Sequence, residues 1–408
     1  MNADPVEWLF SLERLGMKFG LENISTLLAE LGDPQRAFAS VHIAGTNGKG
    51  SVTAIVETAL RKAGYRSARY TSPHLERIEE RFVIDGREVG RAALATAASR
   101  IRDVTIRLID RGALGGLPTF FEATTAAAFE LFRIARVEIA VVEVGLGGRL
   151  DSTNVVHPLV CAITTIALDH QSLLGDTLAD IAAEKAGIIK TAVPVVIGRL
   201  PVEAEAVVAA IAVQQRAPLV RAHSHAHHVE EMPPALPGAH QRDNAIVALS
   251  VVDVLRSRGF PVTADAARFA VEHVDWPGRL EHRRLGECEV LFDAAHNPAG
   301  ARALADYLRS SRWTDATLVF GAMADKDIRG MVNELAPVVT RVICTTPDTP
   351  RAATAETVAS IVQSIDGRPQ VDMVPDPHAA FEDACRSSRR VVVAGSMFLI
   401  GPLRGILR

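Results

Sequence analysis

The stretch VHIAGTNGKGSVTAI, which begins at Val41, constrains this chain more than any other. A β-branched run ends at Ala44, Gly45, Gly48 and Gly50 follow, and a helix-forming run opens at Lys49. Strand, glycine turn and helix in that order make a phosphate-binding unit. Glycines let backbone N–H groups surround an anion, and the helix N-terminus adds partial positive charge. The spacing departs from G-x-x-x-x-G-K-[ST], because only Thr46 and Asn47 separate Gly45 from Gly48-Lys49, and Gly50 intervenes before Ser51. Lys49 is placed to reach terminal phosphates, with Ser51 close to the same anion. The plainer alternative is a glycine turn that joins a strand to a helix.

The runs SVHIAG, EIAVVEVG, VCAITTIAL and VPVVIG alternate with segments of helical periodicity such as SVTAIVETALRKAG. Buried strands flanked by helices imply a mainly parallel sheet. After WPGRL (Trp276 to Leu280) the alternation restarts with EVLFDAAHN, TLVFGAM, RVICTT and RVVVAGS. At 408 residues the chain suits two or three domains of roughly 150 residues each. The fold class expected is therefore α/β: a larger N-terminal P-loop-type domain over 1–276 with a mainly parallel sheet, a linker at 277–280, and a smaller Rossmann-like domain over 281–408. Polar residues follow strands in both parts: Thr46 to Ser51, Glu143, Asp169-His170, Asp293, His296 and Ser396. Open parallel sheets bind ligands at their carboxyl ends, so these positions are expected to converge on a cleft between domains.

Net charge is −4 with pI near 6.4, and no long Lys/Arg run occurs, which argues against a nucleic-acid surface. The N-terminus MNADPVEWLF lacks a basic n-region and an apolar h-region, and no apolar run reaches bilayer length, so a cytoplasmic protein without membrane contact is expected. Cys161, Cys288, Cys344 and Cys385 lie far apart with no C-x-x-C pair, as buried free thiols would. The tract HSHAHH (His223, His225, His227, His228) reads as a solvated loop in preference to a metal site, because it adjoins a Pro-rich connection.

HIAGTNGKGS resembles the ATP loop of the Mur ligase superfamily, in which the shortened G-T-N-G-K-G-[ST] form is normal. Further stretches in the same order narrow the resemblance to the folate branch, the dihydrofolate and folylpolyglutamate synthases: YTSPHL from Tyr70, PTFFEATT from Pro118, EVGLGGRLDSTN from Glu143, LDHQSLLG from Leu168, EKAGIIK from Glu184, HQRDNA from His240, PGRLE from Pro277, FDAAHNP from Phe292 and GAMADKD from Gly321. The likeness runs over nearly the whole chain. One departure is the short segment between PLVRAHSHAHH and LPGAHQRDNA, where family members commonly carry an extra pair of strands.

The resemblance implies ATP contacts from Thr46, Asn47, Gly48, Lys49, Gly50 and Ser51, and from Asn244, Arg279 and Asp293. It assigns Ser72, Glu143 and His170 to magnesium. Glu143 suits a hard cation, whereas magnesium prefers oxygen to imidazole, so a His170 hydrogen-bonded to Asp169 is the competing reading. In the family the lysine of EKAGI is carbamoylated and holds a second magnesium, which implies that modification for Lys185; read alone, Lys185 is a surface lysine paired with an acid. Arg279 has a planar fork suited to phosphate oxygens, with an interdomain salt bridge as its alternative. His296 either orients phosphate as a catalytic group or caps the helix near Pro298.

For a pterin-bearing substrate the resemblance points to Thr119, Phe120, Phe121 and Glu122 and to Leu150, Asp151 and Ser152. Phe120 or Phe121 would pack on an aromatic ring while Asp151 accepts hydrogen bonds, although both phenylalanines also suit a core. The implied reaction activates a carboxylate with ATP as an acyl phosphate, which the amine of L-glutamate displaces. Lys49, Lys185 and His296 are the catalytic candidates, and the carboxylate substrate is dihydropteroate, a reduced folate, or both. A monomer is expected. Competing readings are a related ligase for another carboxylate and amino acid, and an ATP-binding regulator without turnover.

Overall fold

The computed structural model describes residues 4–16, 18–222, 229, 232–365 and 369–407. The histidine tract at 223–228 lies outside the described residues. By contact the chain divides into two compact units. One comprises Met1–Ile166, Leu178–Ala235 and Asp243–Val274; the other comprises Ala167–Thr177, Leu236–Arg242 and Asp275–Arg408. Two short segments, Ala167–Thr177 and Leu236–Arg242, thus cluster with the C-terminal unit although they precede the 277–280 linker.

The first unit is built on strands β1 (Ala39–Ala44), β2 (Ser67–Tyr70), β3 (Phe82–Ile84), β4 (Arg87–Glu88), β5 (Ile139–Glu143), β6 (Val160–Ile163), β7 (Val195–Ile197) and β8 (Leu219–Arg221). They form one sheet in the order β4-β3-β2-β5-β1-β6-β7-β8. The six strands from β2 to β8 pair in parallel, and β3 and β4 add an antiparallel edge. Every residue of β5 and β6 is buried, as expected for strands covered on both faces. The chain leaves β1 toward β2 on one side and later returns to β6 on the other, so the end of β1 is a topological switch point, the position at which open parallel sheets bind ligands.

One face of β2 and β5 packs against the helices Pro5–Ser11, Glu22–Glu30, Arg91–Asp110 and Phe120–Ile134 around Leu9, Leu27, Leu28, Tyr70, Phe82, Phe129 and Phe132. Each such side chain contributes about 1.5–3 kcal/mol on full burial. The helix Phe120–Ile134 starts where it does because Thr119 and Glu122 form a reciprocal capping box: the Thr119 hydroxyl accepts from the Glu122 N–H at 3.1 Å, and the Glu122 carboxylate accepts from the Thr119 N–H at 2.7 Å.

The second unit carries β9 (Glu281–Leu285), β10 (Cys288–Phe292), β11 (Thr317–Phe320), β12 (Arg341–Cys344), β13 (Gln370–Met373) and β14 (Arg390–Ala394), in the order β13-β12-β11-β14-β10-β9. All neighbours are parallel except the hairpin of β9 and β10. Its core gathers Leu291, Leu304, Leu308, Leu318, Phe320, Met331 and Val342. No described helix is long and apolar enough to cross a membrane. Cys161, Cys288 and Cys344 are buried free thiols, whereas Cys385 is half-buried.

Candidate active site

The glycine-rich loop sits at the end of β1, as its strand, turn and helix pattern requires. Gly45 has φ +148° and Gly48, the residue before the helix Lys49–Lys62, has φ +85°. A Cβ at Gly45 would lie 2.0 Å from Thr164 Oγ1, and one at Gly48 would lie 2.2 Å from Asn244 Oδ1. Both conformation and space therefore disfavour other residues at these two positions.

Two threonines after β6 brace the loop. The Thr46 N–H donates to the Thr165 carbonyl at 2.8 Å and the Asn47 N–H to Thr165 Oγ1 at 3.0 Å. The Thr164 hydroxyl donates to the Asn47 carbonyl at 2.6 Å. The N–H groups of Thr46 and Asn47 are thus engaged within the protein. From Gly48 onward the backbone enters the first turn of the helix, where N–H groups have no intrahelical acceptor and suit an anion. Lys49 Nζ donates to the carbonyls of Gly45 at 3.1 Å and Thr46 at 3.2 Å.

Lys185 closes on the same loop from the helix Leu178–Ala186. It is 5% exposed, and its Nζ donates to the Gly45 carbonyl at 3.1 Å. The reading of Lys185 as a surface lysine is therefore wrong: the helix directs it inward, and its neighbour Glu184 takes the surface role by pairing with Arg149 at 2.7 Å. Glu143, 5% exposed at the end of β5, accepts from the Ser72 N–H at 3.2 Å. Ser72 and Glu143 are thus brought together.

The loop after β5 is organised around Asp151. Its carboxylate accepts from the N–H groups of Leu146 at 2.9 Å and Thr153 at 3.0 Å and from the Thr153 hydroxyl. Burial pushes the Asp151 carboxyl up, and these donors oppose the shift. Behind it, His42 Nε2 lies 2.8 Å from Thr153 Oγ1. Burial, and then the charge of Lys190, lower His42 to about 3. Asn154 ties this loop to the end of the Lys185 helix, donating to the carbonyls of Arg149 at 2.9 Å and Gly187 at 3.1 Å. Ser152 is buried and Leu150 half-buried beside it.

The two candidate aromatic walls already have partners. Phe121 stacks on Tyr70 at 6.0 Å, and its ring tip would meet a Cβ at Gly145. Phe120 stacks on Phe10 at 5.9 Å and lies 5.0 Å from the Arg81 guanidinium. Arg81 Nε also donates to His74 Nδ1 at 2.9 Å. Burial, and then Arg81, lower His74 to about 3.

In the second unit a different cluster forms at Asp169. Its Oδ1 accepts from Lys326 Nζ at 2.6 Å and from the His170 N–H at 2.9 Å, while Oδ2 accepts from Asn297 Nδ2 at 2.9 Å. His296 Nε2 stands 3.7 Å away. Burial alone would raise the Asp169 carboxyl, but Lys326, His170 and His296 outweigh it and hold it well below the carboxylate range. His170 is thus bonded to Asp169 through its backbone N–H, while its Nε2 is 3.9 Å from that carboxylate and 3.0 Å from Lys326 Nζ, the donor. One reading is corrected. The helix Pro298–Ser310 is capped by Asn297, whose Oδ1 accepts from the Gly300 N–H at 2.8 Å, rather than by His296, whose Nδ1 bonds the Ala294 carbonyl at 2.8 Å. Burial and Lys326 lower His296 to about 4.

At the PGRL turn, Asp293 accepts from the N–H groups of Leu280 at 2.9 Å and Ala295 at 3.0 Å. Burial raises its carboxyl against the pull of His240 and Arg279. Arg279 itself bonds the adjoining Gly278 carbonyl at 3.2 Å. Among the described residues no group of three or more His, Cys, Asp or Glu side chains is arranged to hold a metal.

Comparison with known proteins places this geometry. Residues 278–397 match the model of the Mur ligase glutamate ligase domain. The chain is 31% identical to the dihydrofolate synthase/folylpolyglutamate synthase of Bacillus subtilis, covering 99% of each chain. It belongs to the folylpolyglutamate and dihydrofolate synthase family. A probable bifunctional folylpolyglutamate synthase/dihydropteroate synthase of Haloferax volcanii is 34% identical, and the chain spans about half (50%) of its length. Among solved structures, Mycobacterium tuberculosis folylpolyglutamate synthase complexed with ADP is similar at a TM-score of 0.91 and 33% identity, covering 99% of each chain. A bifunctional folylpolyglutamate synthase/dihydrofolate synthase with Mn, AMPPNP and L-glutamate bound is similar at 0.86 and 30%, covering 100% of this chain and 98% of that one.

Four residues of this family member escaped the sequence reading. Lys326 lay inside the quoted GAMADKD, and Thr164 and Thr165 inside VCAITTIAL, but nothing in one sequence indicates that they reach Asp169 or Asn47. His74, inside YTSPHL, carried no signal beyond its residue type.

Proposed function

We propose that this protein is an ATP-dependent ligase that joins a folate-type carboxylate to the amino group of L-glutamate, releasing ADP and phosphate. The observation that carries the reading is the loop after β1, where Lys49 and the buried Lys185 meet at the Gly45 carbonyl above a helix N-terminus. That site suits a triphosphate, and the family supplies the reaction class.

In this reading the N–H groups from Gly48 to Ser51 and the Lys49 ammonium hold the phosphates and offset charge on the phosphoryl group in flight. Thr46 and Asn47 shape the loop. Asn244, Arg279 and Asp293 serve the rest of the nucleotide, and His296 orients phosphate. The acid substrate becomes an acyl phosphate, and the glutamate amine displaces phosphate; a protein nucleophile is unnecessary. Thr119, Phe120, Phe121, Glu122, Leu150, Asp151 and Ser152 shape the pteroyl side. Residues 1–276 carry ATP, 281–408 carry glutamate, and 277–280 link them.

A divalent cation fits the hard-oxygen donors in part. Glu143 and the Ser72 hydroxyl would hold it in the first unit, with His170 as the third assigned ligand, and it would neutralise phosphate charge when bound. Lys185 as an ammonium has three donors and no lone pair, so it ligates nothing. Carbamoylation would make it an oxygen-bearing anion for a second magnesium; an unmodified amine found by intact mass in the active, magnesium-bound enzyme rejects this. The protein acts as a cytoplasmic monomer.

The test is phosphate release from ATP with dihydropteroate or tetrahydrofolate, each with and without L-glutamate, with products identified by mass. The expected result is glutamate-dependent release and a new amide with at least one acceptor. ATP binding without amino-acid-dependent ADP release would mark a regulator, and turnover only with another acid and amine would mark a related ligase.

A further inference from the structure

The aromatic residues expected to meet the substrate are already packed, and another ring lies beside them. Phe120 has Phe10 stacked against it and Arg81 over its ring. Phe121 is held by Tyr70 and the Gly145 backbone. Phe10 is 37% exposed, a large apolar ring left open at the end of the helix Pro5–Ser11. His74 meets Phe10 edge-on, with ring centres 6.4 Å apart and planes at 86°. The two rings form a corner.

The corner has a defined polarity. A guanidinium can only donate, so the bond from Arg81 Nε makes His74 Nδ1 an acceptor. The neutral imidazole then carries its proton on Nε2. No hydrogen bond to Nε2 is made among the described residues. Arg81 is 6% exposed and has little freedom to release its hold. An exposed aromatic face beside a fixed N–H donor suits a flat aromatic group bearing an acceptor atom, and suits an aliphatic acid poorly.

We infer that His74 is a specificity-determining residue, donating from Nε2 to an acceptor on the aryl part of the dihydropteroyl group while that group lies on Phe10. The inference rests on the ligase reading above, and it adds Phe10, His74 and, through its hold on His74, Arg81 to the substrate side.

The test is equilibrium binding of dihydropteroate and, separately, of a non-hydrolysable ATP analogue to wild type, His74→Phe, His74→Gln and Phe10→Leu. His74→Phe keeps a ring and removes the donor; it should weaken dihydropteroate roughly tenfold, the equivalent of about 1.4 kcal/mol. His74→Gln, whose amide restores an N–H near the same place, should recover most of that loss. Phe10→Leu should cost roughly threefold to tenfold. All three should bind the ATP analogue as wild type does, and KM for dihydropteroate should move more than kcat. Equal weakening by His74→Phe and His74→Gln, or wild-type binding by His74→Phe, overturns the inference while the ligase reading stands. Should His74→Phe fail to fold, the exposed Phe10→Leu and the His74→Gln variant decide it: wild-type affinity in Phe10→Leu overturns it. A wild-type protein that binds the ATP analogue but neither dihydropteroate nor tetrahydrofolate removes the substrate reading and this inference together.

Discussion

The loop at Gly45–Ser51 and the cluster at Asp169 both gather lysines, but they treat the charge in opposite ways. Lys49 spends its hydrogen bonds on neutral carbonyls, at 3.1 and 3.2 Å, so its charge is oriented without being cancelled. Lys326 meets a carboxylate at 2.6 Å, with each side chain only 8% exposed. A cation held by carbonyls remains available to an arriving anion, whereas one paired with a buried acid is already neutralised. The first arrangement is the one the proposed phosphate site needs. The second fastens the segment Ala167–Thr177 to the C-terminal unit.

The largest effect that would break this contrast lies in the ionic cluster. Asp169→Ala leaves Lys326 buried without its acid, and urea unfolding should show a loss of about 3–5 kcal/mol. Restoring most of that stability in Asp169→Leu/Lys326→Met would confirm that the unpaired charge, rather than lost packing, is responsible. Because the folded carboxyl sits below its ordinary value, this contribution is full above about pH 4, the unfolded value. It is lost as pH falls toward the folded value. Acid titration of wild type should therefore be steeper below pH ~4 than that of the double variant.

Next comes Lys49→Ala, which should lower turnover by about 10²–10³ fold with an unchanged unfolding midpoint. Near-normal turnover would show that the carbonyl-held charge is not used. Gly48→Ala combines a left-handed φ with a Cβ 2.2 Å from Asn244 Oδ1. It should cost about 1–2 kcal/mol from conformation alone and weaken binding of an ATP analogue, measured by calorimetry. The smallest effect is expected from Thr165→Val, which removes the acceptor of the Asn47 N–H and should cost about 0.5–1.5 kcal/mol. An ATP affinity lowered by far more than that stability loss would show that the brace also sets the loop's shape.

Much of the first region could be read in advance because its information is local. Gly45, Gly48, Lys49 and Ser51 lie within seven consecutive positions, and steric limits on φ operate on each residue separately. The capping box of Thr119 and Glu122 is local in the same sense, being three residues apart. The division into two α/β sheets was also readable, since buried parallel strands leave runs such as IAVVE and VCAI that no exposed strand tolerates. Less could be read of the side-chain partners. Phe120 was equally suited to a ligand or a core, and Lys185 read alone suited solvent, because a residue type states what a side chain can do without stating what it meets.

Local sequence alone, then, indicated two sheets of alternating strand and helix and a glycine-rich turn from one strand into a helix, because backbone conformation and burial are decided over a few neighbouring residues. Folding alone determined that Lys326, 157 positions away, neutralises Asp169. It likewise determined that Thr165 braces Asn47 across 118, and that Arg81 fixes the His74 proton on Nε2. Hydrogen bonds and charges act over a few ångströms of space and are indifferent to distance along the chain, so only the folded arrangement could select those pairs.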